Sequence, residues 1–257
     1  MDLIASFRRT LRYSLGRQLP NLHNDRRLRR LKDIHKGRRA FVIGNGPSLK
    51  VPDLDRLTND IAFASNKIYL AFDRTPWRPT YLTCSDSVVA QTVGPNMAAL
   101  PITKIFGHST FPYFKRHADI TYCNSPSRRT DPKDWDLIKG VSTGHSVLYW
   151  DLELAFWMGI REIYAIGVDF SFEVASKATG AKAMGNDVLA AGREVNHFHP
   201  DYRKPGELWT MPQLNKQRDE FAFALEKYRS HGGVIYNASR ETKLDAWPRV
   251  DFESLFK

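Results

Sequence analysis

Two cysteines, no long hydrophobic run, and almost no net charge beyond the first forty positions: each shortage in this 257-residue chain removes a class of protein. Cys84 and Cys123 lie in short apolar segments, so they are expected as reduced, buried thiols rather than as a disulfide framework. No apolar stretch reaches the roughly 18 residues a membrane-spanning helix needs. The apolar patch at residues 3–7 is too short for the core of a signal peptide, and a cytoplasmic setting is expected. The elbow of serine hydrolases, the kinase motif set and the paired-histidine helix of zinc proteases are all missing. So are internal repeats and low-complexity tracts.

The charge that is present is concentrated. The chain carries a formal net charge of +10. Residues 1–40 hold ten Arg and two Lys against Asp2, Asp25 and Asp33, so +9 of that total falls there. Ile4, Phe7, Leu11, Leu15 and Leu19 recur at helical spacing, with Arg8, Arg9, Arg12 and Arg17 on other faces. Residues 1–37 therefore read as a basic amphipathic arm. Residues 1–36 fit an anionic membrane surface, with the protein peripheral at the inner face of the cytoplasmic membrane. Packing on its own domain, or on a second subunit in a homo-oligomer, fits the same pattern. No basic platform interleaved with aromatics is present, so nucleic acid is not expected.

From Arg38 onward the pattern changes. Residues 40–43, 61–64, 81–84 and 163–166 are continuous apolar runs, as in strands covered on both faces. Residues 102–106, 120–123 and 234–236 are further candidates. A helix is expected over 143–158, closed by Gly159, and another over 213–230. Strands alternating with helices predict an α/β, Rossmann-like domain over 38–257. Its sheet is mostly parallel, with helices on both faces. Residues 171–212 show little periodicity and read as a long lid-like loop.

In such sheets, ligands bind beyond the carboxyl ends of the strands. Small polar residues follow those ends here: Gly44, Asn45, Gly46 and Ser48; Asn66; Asp86; Asp169; and Asn237. Two glycines let backbone approach a ligand closely. Ser142, Thr143 and Gly144 precede a helix, where a cap and free N–H groups suit phosphate or carboxylate. In the lid, His197 and His199 are candidates for a general base, because imidazole titrates near neutrality. Tyr202 is a candidate donor to a leaving phosphate. The His-x-His pair lacks the further ligands of a structural metal site. No firm cofactor is expected. Mg²⁺ enters only for a phosphoryl-transfer reading, at Asp86 or Asp169.

The segments "HKGRRAFVIGNGPSLKVPDLDRL", "FASNKIYLAF", "VSTGHSVLYWDLELAFWMGIREIYAIGVDFSF" and "NHFHPDYRKPGELW" together resemble a bacterial family of surface-polysaccharide and flagellin-glycosylation proteins. That family is grouped with the archaeal 6-hydroxymethyl-7,8-dihydropterin pyrophosphokinases. The same segments are similar to those of bacterial lipooligosaccharide sialyltransferases. The resemblance covers about residues 35–256. It implies a nucleotide-binding Rossmann-like domain in which Gly44, Asn45, Gly46, Ser48 and Asn66 hold a nucleotide donor, and in which His197 or His199 matches the catalytic histidine by region. Phe170 stands near one tyrosine expected from the sialyltransferases, and Tyr202 is its substitute.

The activity implied is transfer of a sugar from a nucleotide-activated donor, CMP-linked in the sialyltransferase comparison, to a surface-glycan precursor or a protein. Two alternatives stay open: Mg²⁺-dependent transfer of diphosphate from ATP to the pterin alcohol, and a nucleotide-binding scaffold without catalysis.

Overall fold

The computed structural model describes residues 22–114, 119–124, 135–142, 144–174, 176–183 and 186–257. Its strands are β1 (Arg39–Ile43), β2 (Ile61–Ser65), β3 (Tyr81–Cys84), β4 (Thr103–Gly107), β5 (Ile120–Cys123), β6 (Glu162–Ile166), β7 (Ser176–Ala183), β8 (Asn186–Ala191), β9 (Leu208–Thr210) and β10 (Val234–Asn237). Its helices are α1 (Leu22–Arg30), α2 (Val51–Asp55), α3 (Ser87–Ala98), α4 (Val147–Trp157) and α5 (Leu214–Arg229).

Seven strands form one sheet in the order β10-β6-β1-β2-β3-β4-β5. Every pairing in it is parallel. β1 is an inner strand, with Val42 between Phe63 of β2 and Ala165 of β6. Alternate β1 residues feed two cores. Ala40 and Val42 join α1, α4 and α5 through Leu28, Leu152 and Phe221. Phe41 and Ile43 join α2 and α3 through Leu54, Val93 and Met97. A parallel sheet covered on both faces needs apolar residues at nearly every strand position, which is why these strands read as continuous runs.

α4 is buried around most of its circumference, from Tyr149 through Phe156. A helix so enclosed loses the polar face of an amphipathic helix. It starts at Val147, capped by Ser146, whose Oγ accepts from the Leu148 N–H at 3.2 Å. The sequence reading placed this start four residues earlier. Gly144 and His145 both take positive φ, 48° and 56°, and so hold the chain out of helical conformation just before the cap.

Residues 171–212 contain a three-stranded antiparallel sheet, β7-β8-β9, where the sequence suggested a loop. β7 is built from Ser, Lys, Ala, Thr and Gly, is largely exposed, and carries a register irregularity between Ala178 and Lys182. Such a strand offers no apolar alternation to read.

Of the basic arm, residues 1–21 lie outside the described residues. Beyond them, α1 and the turn after it are stitched to the domain. Arg27 Nη1 donates to the Ile120 carbonyl at 3.1 Å, and Trp157 Nε1 donates to the Leu28 carbonyl at 2.8 Å. Arg26, Arg29, Arg30, Lys32, Lys36 and Arg38 are exposed. Among the described residues no helix is long and apolar enough to cross a membrane.

Candidate functional site

After β1 the chain builds β2 to β5 on one side; β6 then returns to the other side of β1. The carboxyl ends of β1 and β6 therefore diverge in connection at a topological switch point, where open α/β sheets form their ligand crevice.

A cavity opens there. It has about 680 Å³ of empty space, its open mouth included. The end of β1 contributes Gly44, Asn45 and Gly46. The end of β2 contributes Ser65 and Asn66, and the start of α4 contributes Ser146, Val147 and Leu148. The end of β6 contributes residues 167–172, the lid contributes Asn196, His197 and Tyr202, and α5 contributes Gln217 and Phe221. Among the described residues, Ser48, Asp86, Ser142, Gly144 and His199 do not line this cavity. Thr143 lies outside the described residues.

The glycines at the switch point serve backbone packing first. A Cβ on Gly44 would overlap the Gly167 carbonyl oxygen, and one on Gly46 would overlap the Asp169 carboxylate. Gly44 N–H donates to the Ile166 carbonyl at 2.8 Å and Gly46 N–H to the Gly167 carbonyl at 2.9 Å. Ser48 gives Asp169 both its N–H, at 3.0 Å, and its hydroxyl, at 2.9 Å. The amides of Gly44, Gly46 and Ser48, residues expected to hold a nucleotide donor, are thus occupied within the protein. Asn237 stands one layer behind, accepting from Ser239 N–H at 3.0 Å, while the Ser239 hydroxyl accepts from Val168 N–H at 2.9 Å.

The two asparagines are arranged differently. Asn45 Nδ2 donates to the Ser65 carbonyl at 3.2 Å, which fixes the amide's orientation, because its oxygen could not face that carbonyl. Asn45 Oδ1 and Asn66 Oδ1 are both buried with no hydrogen-bond partner. Buried polar atoms are nearly always paired, so two orphaned acceptors lining one cavity point to a ligand that donates. Asn66 holds φ at 54°. Residues with side chains pay strain for that conformation, and it recurs at functional sites.

Asp86 and Asp169 are engaged elsewhere. Asp86 caps α3, accepting from Val88 N–H at 2.7 Å through one oxygen and from the Thr210 hydroxyl at 3.2 Å through the other. Asp169 accepts from Ser48, and burial raises its carboxyl above the usual range, with the Ser48 bonds opposing. A Mg²⁺ site needs carboxylate oxygens free to coordinate. This pair does not fit one, and among the described residues no group of three His, Cys, Asp or Glu is placed to hold a metal.

The lid reaches the cavity through its histidine loop. Phe198 N–H donates to the Asn45 carbonyl at 3.0 Å, tying the loop to the β1 turn. Asn196 clasps Glu173, accepting from its N–H at 2.7 Å and donating to its carbonyl at 2.9 Å. His199 caps the short turn Pro200–Tyr202, its Nδ1 accepting from Asp201 N–H at 3.1 Å. His197 lies in the cavity wall, its ring stacked on Tyr202 at 3.8 Å and 5°. Burial holds the His197 pKa below the ordinary imidazole value, with Glu194 opposing. The ring is therefore neutral at neutral pH, as a proton acceptor must be. Burial also raises the Tyr202 hydroxyl, which stays protonated.

Five contributors escape the sequence reading. Lys67 pairs with Glu207, both nearly buried, joining the end of β2 to the lid. Gln217 Nε2 donates to the His145 carbonyl at 2.7 Å. Arg203 Nη1 stands 3.9 Å from Glu194 Oε2. Glu194 stands three residues before His197, a spacing that could have drawn notice.

A family model for 6-hydroxymethylpterin diphosphokinase MptE-like proteins matches residues 15–175. In fold, the chain is similar to the MAf glycosyltransferase from Magnetospirillum magneticum AMB-1, with a TM-score of 0.53 at 15% identity. That superposition covers 90% of this chain and 38% of the other, so this chain spans well under half the neighbour's length. Likeness at that identity is a likeness of fold. Comparison with curated proteins gave no match.

Proposed function

This chain belongs to the 6-hydroxymethylpterin diphosphokinase MptE-like family, and from that premise we propose that it is a transferase of the glycosyltransferase type, moving a sugar from a nucleotide-activated donor to a glycan precursor or a protein. The observation that carries this reading is the convergence, on one switch-point cavity, of two orphaned asparagine oxygens and a neutral, buried histidine. The fold neighbour, a glycosyltransferase by its description, supports it.

In this reading the donor's nucleotide lies at the ends of β1 and β2. Asn45 Oδ1 and Asn66 Oδ1 accept from its hydroxyl or amino groups. His197 takes the proton of the acceptor hydroxyl. The acceptor oxygen forms a bond to the anomeric carbon as the bond from that carbon to the phosphate oxygen breaks, and the electron pair leaves with the nucleotide. Positioning and proton transfer of this kind supply the rate. A CMP-linked donor is the finer proposal. It rests on the resemblance of the G-N-G-P-S turn and Asn66 to the sialyltransferase pattern, and on a cavity lining that, among the described residues, includes no Lys or Arg. One phosphate asks for less charge neutralisation than two.

The exposed basic residues of α1 extend the basic segment before it. We assign this surface to anionic lipid at the inner face of the membrane, where a lipid-linked acceptor would be met. Deleting residues 1–21 together with Arg26→Glu, Arg29→Glu and Arg30→Glu should reduce sedimentation with anionic vesicles, and unchanged sedimentation would remove the assignment.

The direct test is a panel of CMP, CTP, UDP and ATP, each with and without Mg²⁺, read by calorimetric titration. Cytidine nucleotides binding without metal support the proposal. The family's description favours a second reading, diphosphate transfer to the pterin alcohol. ATP binding only with Mg²⁺, with AMP released when the pterin alcohol is added, would establish that reading instead. Nucleotide binding with no transfer to any acceptor would leave the nucleotide-binding scaffold, and no binding by any nucleotide would overturn all three readings. His197→Ala should keep nucleotide affinity while lowering turnover by about 10²- to 10⁴-fold.

A further inference from the structure

His197 does not stand alone in the lid. Its Nδ1 lies 3.0 Å from Glu194 Oε1, and both side chains are nearly excluded from solvent, at 11% and 3% exposure. Two lone pairs would repel at that separation, so the proton between them belongs to Nδ1. The N–H is not aligned for a hydrogen bond, and Nδ1 has no other partner. Such contacts in ligand-free sites are often poorly aligned and tighten when substrate arrives.

The carboxylate itself is held in place. Asn196 N–H donates to Glu194 Oε1 at 2.6 Å, and Arg203 Nη1 stands 3.9 Å from its other oxygen. The ring is held as well. Tyr202 covers one face, and Phe172 meets it edge-on with centroids 6.4 Å apart.

We propose that Glu194 is a positioning residue: it fixes His197 as the Nδ1–H tautomer, so that Nε2 presents its lone pair to the cavity as the proton acceptor. Histidine has two nitrogens of similar basicity, and the one that acts is set by the partner of the other. Without Glu194 the two tautomers would mix, and part of the population would present an N–H to the acceptor hydroxyl. The charged and titratable groups that face the ring are Glu194, Arg203, Lys67 and Tyr202. Among them, only the Glu194 carboxylate favours imidazolium. Arg203 and Lys67 oppose it. Burial keeps the ring neutral at rest, and the carboxylate makes it a stronger base than burial alone would allow.

The role of Nε2 as base rests on the transfer function proposed above, but the tautomer does not, so it is measured without substrate. In the full chain at about pH 8, above the ordinary imidazole range, nitrogen–proton couplings from heteronuclear NMR report which ring nitrogen carries the proton. The expected wild-type result is Nδ1–H. In Glu194→Gln the His197 pKa should fall by about one unit, and Nε2–H should become populated. A wild-type Nε2–H tautomer would overturn the proposal, as would an unchanged pKa in a folded Glu194→Gln protein. The wild-type spectrum decides even if the variant does not fold. If the tautomer is as proposed but no nucleotide binds, the transfer function fails and the Glu194–His197 assignment stands.

Discussion

The β1–β6 side of the cavity is held together mainly by backbone, whereas the lid side, apart from the Phe198 N–H on the Asn45 carbonyl, is held by side chains. At the switch point, Gly44, Gly46 and Gly167 let two turns touch through carbonyls and amides. A Cβ on Gly167, which sits at φ 66°, would come within 2.6 Å of the Gly44 carbonyl oxygen. Across the cavity, the lid is attached by the Lys67–Glu207 ion pair, the Thr210–Asp86 hydrogen bond and the stacked His197–Tyr202 rings. Backbone packing of the first kind leaves no room for adjustment. Side-chain contacts of the second kind can open one at a time, as a lid that admits a substrate must.

The largest effect should come from breaking the rigid side. Gly44→Ala puts a methyl group onto a backbone carbonyl that cannot rotate away, and should cost at least about 4 kcal/mol in denaturant unfolding. If the loss is under about 1 kcal/mol, the switch point is not the fixed wall described here.

On the lid side, Glu207→Gln leaves the Lys67 ammonium buried without its carboxylate. It should cost about 3 kcal/mol, with much of that regained in Lys67→Met/Glu207→Leu. A negligible cost would mean that the pair does not anchor the lid.

Asp151 sharpens the comparison from behind the site. It is fully buried on α4, and burial pushes its carboxyl up to about 8, with the Thr83 hydroxyl opposing. Its folded pKa is above its unfolded one, so its contribution is fully present below about pH 4 and is lost as pH rises toward 8. Asp151→Asn should therefore flatten stability across that interval and raise it near pH 8. Parallel pH profiles of wild type and variant would exclude a buried, protonated Asp151.

The smallest effect belongs to Gly180, in β7 of the lid sheet, where a Cβ meets nothing within 4 Å and only the positive φ of 75° is strained. Gly180→Ala should cost about 1 kcal/mol. A cost equal to that of Gly44→Ala would erase the contrast between the two walls.

The same contrast separates what the sequence revealed from what it hid. β1, β2, β3 and β6 are legible because double-sided burial forces continuous apolar runs, and the resemblance to the family is borne out by the match over residues 15–175. α3 is obscured by Gly94 and Pro95, two poor helix formers; Gly94 is there because a Cβ would press on the Tyr113 carbonyl. β7 to β9 carry too little buried apolar surface to show a period. At the site, Asn45, Asn66, Asp169, His197 and Tyr202 could be named from their places after strands and in the lid, and the structure brings them to one cavity. Other roles depend on contacts no local pattern encodes. Asp86 and Ser48 serve as internal braces, and Lys67 and Glu207 meet across 140 residues of chain. The packing role of the glycines is hidden for the same reason: the segment they must pass, 167–169, is more than a hundred residues away.

The account rests on a nucleotide donor occupying the crevice between the β1 and β6 ends and the lid. Adding CMP or a CMP-linked sugar to isotope-labelled protein and mapping backbone amide shifts tests this most directly. The shifts should concentrate at residues 44–46, 66, 146–148, 167–172 and 196–202. Shifts that concentrate elsewhere on the molecule, or none with any nucleotide tried, would contradict it.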